Sequence, residues 1–259
     1  DGYENPQWRT PKCIVVWGNE PLAGNQDAFY GHWIVDCMKR GSKLIVVDPR
    51  YTWLASRAEI WLQIRPGTDV ALALAMMNVI INEELYDKEF VDKWCYGFDK
   101  LKERVQQYQP SKVAEISWIP KEKIIEAARL YATNKPAAIQ WGVATDQMTN
   151  STQTGRAILL LKAITGNIDV PGGNKIVWQP LGAIDGVVGG RRGPWGSELY
   201  TPLQEKKLGR EFPLTSMGVF LPAVPEKFWE AALTGVPYPI KALFIDASNP
   251  LSCSQAQPK

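Results

Sequence analysis

The chain is poor in the side chains that most often do chemistry. It has one histidine, His32, and four cysteines, Cys13, Cys37, Cys95 and Cys253, with no C-x-x-C pair among them. That spacing argues against a disulfide framework, and against a zinc or iron–sulfur site built from these cysteines alone. Cys13 and Cys37 fall inside apolar stretches and read as small buried side chains. His32 lies in an expected helix, where a structural role is favoured over acid–base work. No apolar run approaches the ~20 residues a membrane-spanning helix needs. The opening DGYENPQWRTPK has no charged-then-apolar signal layout. A formal charge of +2 gives no electrostatic case for nucleic acid as a partner. Two nucleotide fingerprints are also missing: no G-x-G-x-x-G follows the first apolar run, and no G-x-x-x-x-G-K-[ST] occurs anywhere.

What is present is a globular composition, 45% hydrophobic and 22% charged, with enough chain for one large or two modest domains. Three apolar, strand-like runs each end abruptly in a polar loop: VVWGNEPL at 15–22, VVDPR at 46–50 and IRPGTD at 64–69. In an open α/β sheet such loops lie at the carboxyl ends of the strands, where ligands bind. One loop offers a Gly-Asn turn with backbone N–H groups for a phosphate. The other two each offer an aspartate, one for ribose hydroxyls and one for the edge of a base. A nucleotide-bearing cofactor is therefore expected.

Strands are expected at 13–17, 43–47, 60–64 and 137–141, each a short apolar run suited to a buried parallel sheet. Helices are expected at 27–40 (capped near Asn25 or Asp27 and closed by Gly41), from Thr68 or Asp69 through Ile80, from Pro120 to Thr133, and over 151–165. Polar helical segments broken at Gly97 fill 87–105. This alternation predicts a doubly wound, mostly parallel Rossmann-like sheet over 10–168, with part of a second, incomplete α/β domain over 169–259. GNIDVPGGN at 166–174 is a turn-rich boundary, and 175–239 is rich in Gly, Pro and Trp with little periodicity. Lys241–Ile245 reads as a new strand, followed by a small-residue loop, ASNPL, that echoes GNEPL.

Each candidate has an ordinary structural reading beside the functional one. Gly18 and Asn19 form either a phosphate-facing turn or a plain tight turn. Asp48 is placed as a ribose-binding acid, or as an Asx turn ahead of Pro49. Asp69 is placed to accept two N–H donors of a guanine, or as a helix cap. Trp17, Trp141, Trp178 and Trp195 near the loops are read first as packing and second as rings for stacking.

Taken together, VVWGNEPL, GSKLIVVDPRYT, the run SRAEIWLQIRPGTDVALALAMMNVIINEELYDKEFV, QPSKVAEISWIPKEKIIEAARLYA, AAIQWGVATDQ, AILLLKAITGNIDVPGGN and KALFIDASNPLS resemble the molybdopterin oxidoreductases in order and spacing. These are the enzymes with a bis(molybdopterin guanine dinucleotide) cofactor, including dimethyl sulfoxide reductase, formate dehydrogenases and nitrate reductases. The resemblance implies that 10–168 holds one guanosine arm: Gly18 and Asn19 at phosphate, Asp48 at ribose, and Pro66, Gly67, Thr68 and Asp69 at guanine, with Pro49 and Arg50 also among the cofactor-binding residues. Gly142 and Gln147 match a strand-end loop near the cofactor. Ala247, Ser248, Asn249 and Pro250 match the loop that holds the other arm.

The resemblance further implies a larger subunit of which this is a central piece, inactive by itself. Outside it would lie an N-terminal domain, often with a Cys-ligated [4Fe–4S] cluster, the protein ligand to the metal, and a domain closing over both pterins. The chemistry implied is two-electron redox or oxygen or hydroxyl transfer at molybdenum or tungsten. The implied partners are a small-molecule substrate, an iron–sulfur electron-transfer subunit and the remainder of the same subunit. The compartment would be cytoplasmic or periplasmic. Two other readings stay open: the same scaffold doing net non-redox chemistry as a hydratase or transhydroxylase, and a cofactor-free structural subunit of an electron-transfer complex.

Overall fold

The computed structural model describes residues 9–24, 28–175, 206–211 and 225–245. The chain divides into two compact units, 1–177 and 178–259. In the first, four parallel strands, β1 (Cys13–Trp17), β2 (Lys43–Val47), β3 (Ile60–Leu62) and β4 (Ala137–Trp141), form one sheet in the order β3-β2-β1-β4. Five consecutive register pairs run from Cys13↔Lys43 to Trp17↔Val47, and five more from Cys13↔Ala137 to Trp17↔Trp141. β1 is thus the central strand, and all five of its residues are buried. Cys13, Val15 and Trp17 enter the larger core, and Ile14 and Val16 the smaller one on the opposite face. Burial on both faces explains an uninterrupted apolar run where a half-exposed strand would alternate.

The smaller core lies under α1 (Ala28–Lys39), with Ile34 and Cys37, and a short 3-10 turn at Ala55–Arg57. The larger core is built around α2 (Asp69–Asn82), whose residues from Leu72 to Ile81 are all buried. A helix apolar all round must be enclosed on all sides. It packs against α5 (Pro110–Ser117), α6 (Lys121–Thr133) and α8 (Ser151–Ile164), with α4 (Phe98–Val105) alongside. Its one polar interior residue, Asn78, donates to Val105 O at 3.0 Å. The break expected at Gly97 separates α3 (Lys88–Trp94) from α4, with Gly97 at φ +78°. The helix α5 has no counterpart in the sequence reading, and β3 stops two residues earlier than expected.

The outer edge of β4 is closed by side chains. Asn174 Oδ1 accepts from Ile139 N at 2.9 Å, and Asn174 Nδ2 donates to Ile139 O at 3.1 Å. Asn167 Oδ1 accepts from Ala137 N at 2.9 Å. The amide of Asn174 thus replaces a neighbouring strand's peptide and occupies an edge that would otherwise offer unpaired groups. The turn-rich segment 166–174 serves as this edge cover.

In the second unit, α9 (Pro225–Thr234) is described, and Tyr238 OH donates to Lys206 O at 2.9 Å. Lys241–Ile245 corrects an expectation: it is not a strand. No described strand pairs with it, and Leu243, Phe244 and Ile245 are 51%, 91% and 52% exposed. An apolar run becomes a strand only where a partner takes its backbone groups. Ala247, Ser248, Asn249 and Pro250 lie outside the described residues, as do Trp178, Trp195 and Cys253.

One core residue is out of character. Lys162 of α8 is buried and lies over the Trp141 ring, its Nζ 3.9 Å from the centroid, and desolvation lowers its pKa from 10.5 to about 8. Because the folded pKa lies below the unfolded one, the charged lysine destabilises the fold in full below pH 8. That penalty fades as pH rises from about 8 toward the ordinary lysine value. Lys162→Met is expected to raise stability at pH 7 by about 1–2 kcal/mol, the relieved desolvation less the lost cation–π contact. The gain should disappear near pH 10.5, the unperturbed lysine value, in paired thermal unfolding curves. Asn174→Ala should leave both Ile139 backbone groups unpaired, at about 1–3 kcal/mol. Hydrogen exchange across 137–141 should then accelerate, about tenfold for each 1.4 kcal/mol.

Candidate nucleotide-cofactor site

All four strands end on the same edge of the sheet, and the order β3-β2-β1-β4 makes β1 the strand from which the chain turns both ways. A crevice for ligands is expected at that switch, between the ends of β1 and β4. There the loops after the two strands touch. Gly142 N donates to Trp17 O at 3.0 Å, and Gly18 N donates to Val47 O at 2.8 Å. A Cβ on Gly142 would stand 2.5 Å from Asn19 Cβ and 2.8 Å from Gly18 O. Gly18 sits at φ +58°, and a Cβ on it would meet Thr145 Cγ2 at 3.1 Å. Both glycines are therefore required by close approach. Since its N–H is already bonded to Val47, Gly18 shapes the turn but has no amide proton left for a phosphate. Beyond Gly142, the short α7 (Val143–Asp146) carries buried Thr145, whose Oγ1 donates to Gly142 O at 2.8 Å; Gln147 is exposed.

Asp48, just past β2, is 3% exposed. Its Oδ1 accepts from Arg50 N at 2.8 Å and from Arg50 Nε at 3.4 Å, so the Asx-turn geometry is present. Its carbonyl accepts from Trp61 Nε1 at 2.9 Å, while Pro49 and Arg50 are exposed. The turn holds the acid in place on the carboxyl edge, one residue beyond the strand.

The loop after β3 is fixed at its start by Arg65 N donating to Ser117 O at 2.9 Å. Pro66 and Gly67 are exposed, Gly67 at φ +88° with open space where a Cβ would be. Thr68 occupies the cap position of α2 but makes no side-chain cap bond; its Oγ1 donates to Arg65 O at 2.7 Å. Asp69 is 4% exposed, and its Oδ1 accepts from Trp17 Nε1 at 2.7 Å. Burial raises the Asp69 pKa above the ordinary carboxyl value, against the Trp17 N–H and the amides of Asp69 and Gly67, which favour the charged form. Trp118, at φ +65° and 68% exposed, flanks this loop with the Arg65 guanidinium 5.2 Å from its ring centroid.

The structure thus joins Gly18 and Asn19 to Gly142, and Trp17 to Asp69, along one edge. Two residues were missed by the sequence reading: Glu20 and Gln140, whose Oε2 and Oε1 atoms are buried with no hydrogen-bond partner. A buried acceptor without a donor suits a site completed by a polar ligand, so the residues fit a nucleotide-bearing group. The first follows directly on Gly18-Asn19; no periodicity distinguishes the second from a strand-packing residue. His32 is exposed on α1, and no group of three or more His, Cys, Asp or Glu that could hold a metal exists among the described residues. No helix among the described residues is long and apolar enough to cross a membrane.

This is an open parallel α/β unit with its polar loops gathered at the carboxyl edge, the class of fold that holds nucleotide cofactors. Residues 4–202 match the family model described as molybdopterin oxidoreductase, and the chain belongs to that family. It is 43% identical to acetylene hydratase from Syntrophotalea acetylenica, over 83% of this chain and 32% of that protein. It is 40% identical to the F420-dependent formate dehydrogenase subunit alpha of Methanocaldococcus jannaschii, over 62% of this chain and 24% of the relative. The solved acetylene hydratase from Pelobacter acetylenicus superposes with a TM-score of 0.74 at 37% identity, covering 93% of this chain and 35% of that one. The chain therefore spans about a third or less of the length of these relatives. Membership in the family implies a molybdenum or tungsten pterin cofactor.

Gly142→Ala is expected to force the loops after β1 and β4 apart, with an overpacking cost of about 1–3 kcal/mol, read as a lowered thermal midpoint.

Proposed function

We propose that this chain is the cofactor-holding part of a molybdenum or tungsten enzyme whose pterins carry guanine dinucleotide arms, a bis(molybdopterin guanine dinucleotide) cofactor. The observation that carries this reading is the pair of nearly buried carboxylates, Asp48 and Asp69, on the carboxyl edge of the sheet beyond β2 and β3. Burying a carboxylate without need is costly, and two at strand ends suit a ribose and a base. In this reading Asp48, with Pro49 and Arg50, takes ribose hydroxyls. Pro66, Gly67, Thr68 and Asp69 take the guanine. Asn19 and the amides after it meet phosphate, over the turn that Gly18 permits. Gly142 and Gln147 border the same crevice, and Ala247, Ser248, Asn249 and Pro250 hold the second arm.

The cofactor, when bound, supplies redox or group-transfer chemistry at its metal; this chain's residues bind and orient it. The whole protein is read as an oxidoreductase acting by two-electron redox or oxygen or hydroxyl transfer on a small molecule. It would exchange electrons with an iron–sulfur subunit, and a [4Fe–4S] cluster would belong to the rest of its own subunit. A second reading, net hydration without redox, draws support from the 43% identity to acetylene hydratase and the TM-score of 0.74 to its solved structure. The two readings share every cofactor contact named here and part at the metal ligand and substrate funnel.

Asp69→Ala in the full-length protein should remove charge-assisted bonds to guanine on the order of 1.5–3 kcal/mol each, lowering the nucleotide retained per protein after gel filtration. Nucleotide content equal to wild type would sink the base-recognition role.

A further inference from the structure

A tryptophan that ends a central strand needs no explanation beyond packing until its N–H is followed. Trp17 is fully buried, and its indole N–H reaches Asp69 Oδ1 at 2.7 Å across 52 residues. β2 lies between β1 and β3 in the sheet, so this one bond ties the loop after the central strand to the loop after the edge strand. An apolar ring such as phenylalanine would fill the core without bringing in a donor that must be satisfied. Pairing that donor with a carboxylate, a group that itself resists burial, adds no economy to the core.

What the bond does achieve is orientation. The carboxyl of Asp69 is met by the indole from β1 and by the amides of Gly67 and Asp69. The loop's own cation, Arg65, is turned onto the Trp118 ring, and the buried cation of the adjacent α8, Lys162, lies over Trp141. Asp69 therefore owes its placement to neutral N–H donors. These oppose, without outweighing, the effect of burial on the carboxylate, and they limit its rotation before a ligand arrives. Preorganisation of this kind reduces what binding must spend on ordering side chains.

We propose that Trp17 is a positioning residue: its indole N–H fixes the Asp69 carboxylate in the orientation that receives the base of the cofactor's nucleotide arm. The inference rests on the reading of Asp69 as the base-recognising acid.

The test uses full-length protein purified with its cofactor, carrying Trp17→Phe, benzothienylalanine at position 17, or Asp69→Asn. Benzothienylalanine keeps the bicyclic ring and lacks the N–H, so it separates the donor from the packing. Cofactor loss on dialysis over a range of pH is followed as the GMP that acid hydrolysis then frees from the retained protein, beside thermal unfolding. The expected result for both position-17 variants is roughly tenfold faster GMP loss, the equivalent of one such hydrogen bond. Acid-driven release should also move to higher pH, because an Asp69 without its donor takes up a proton more readily. If the benzothienylalanine protein keeps the wild-type release rate and pH midpoint while Asp69→Asn sheds its nucleotide, Trp17 only packs and the inference is overturned, with Asp69's role intact. The same holds if only Trp17→Phe loses GMP, with a lowered unfolding midpoint. If Asp69→Asn itself keeps its nucleotide, the base reading fails and the inference goes with it.

Discussion

The burial of β1 on both faces is the constraint from which the rest of the first unit follows. Its five residues are all buried, it is in full register with β2 on one side and β4 on the other, and its last residue carries an indole N–H. A strand so enclosed can open to ligands only at its ends. The carboxyl end opens through Gly18, a residue able to adopt φ +58°, directly against Gly142, a position where a Cβ would collide with Asn19. The same end sends the Trp17 indole to Asp69, so the most deeply buried of the described helices begins at a point fixed by the central strand. Core, crevice and loop geometry are thus a single arrangement.

Much of this was legible in the residues. Uninterrupted apolar runs of about five residues gave the strands, because a parallel sheet covered on both faces tolerates few polar positions. Gly41, Gly97 and Gly166 marked helix ends by their need for positive φ. Asp48 stood out because it directly follows an apolar run, and Asp69 because it ends the polar loop after another. Less legible were features that depend on partners distant in sequence. Helix α5 begins with a proline suited to a first turn, yet at 8 residues it is too short to show a sustained pattern. Asn174 gives no local hint that its side chain will serve as a peptide for Ile139. Nor does Trp17 reveal its acceptor, 52 residues away. Lys241–Ile245 shows the converse failure, since an apolar run carries strand propensity but not the partner that makes a strand.

The scarcity of histidine and cysteine fits the proposed division of labour. A protein whose cofactor carries the reactive metal needs donors, acceptors and shape at the cofactor's periphery, and little acid–base equipment there. The described carboxyl edge has that character: glycines where backbones approach closely, two buried carboxylates held by N–H donors and a neighbouring arginine, and two buried acceptors, Glu20 Oε2 and Gln140 Oε1, without partners. Nothing in this arrangement favours redox over hydration. That choice would be made by the groups at the metal, which explains how relatives named formate dehydrogenase and acetylene hydratase can both be similar to this chain.

The central claim, that these loops hold a guanine dinucleotide form of a metal-bearing pterin, is tested most directly by metal analysis with acid release of nucleotide on the full-length protein from its natural host. Molybdenum or tungsten is expected together with about two equivalents of GMP per metal. Protein purified intact yet containing neither metal nor GMP would contradict it and would make the carboxyl edge a structural remnant.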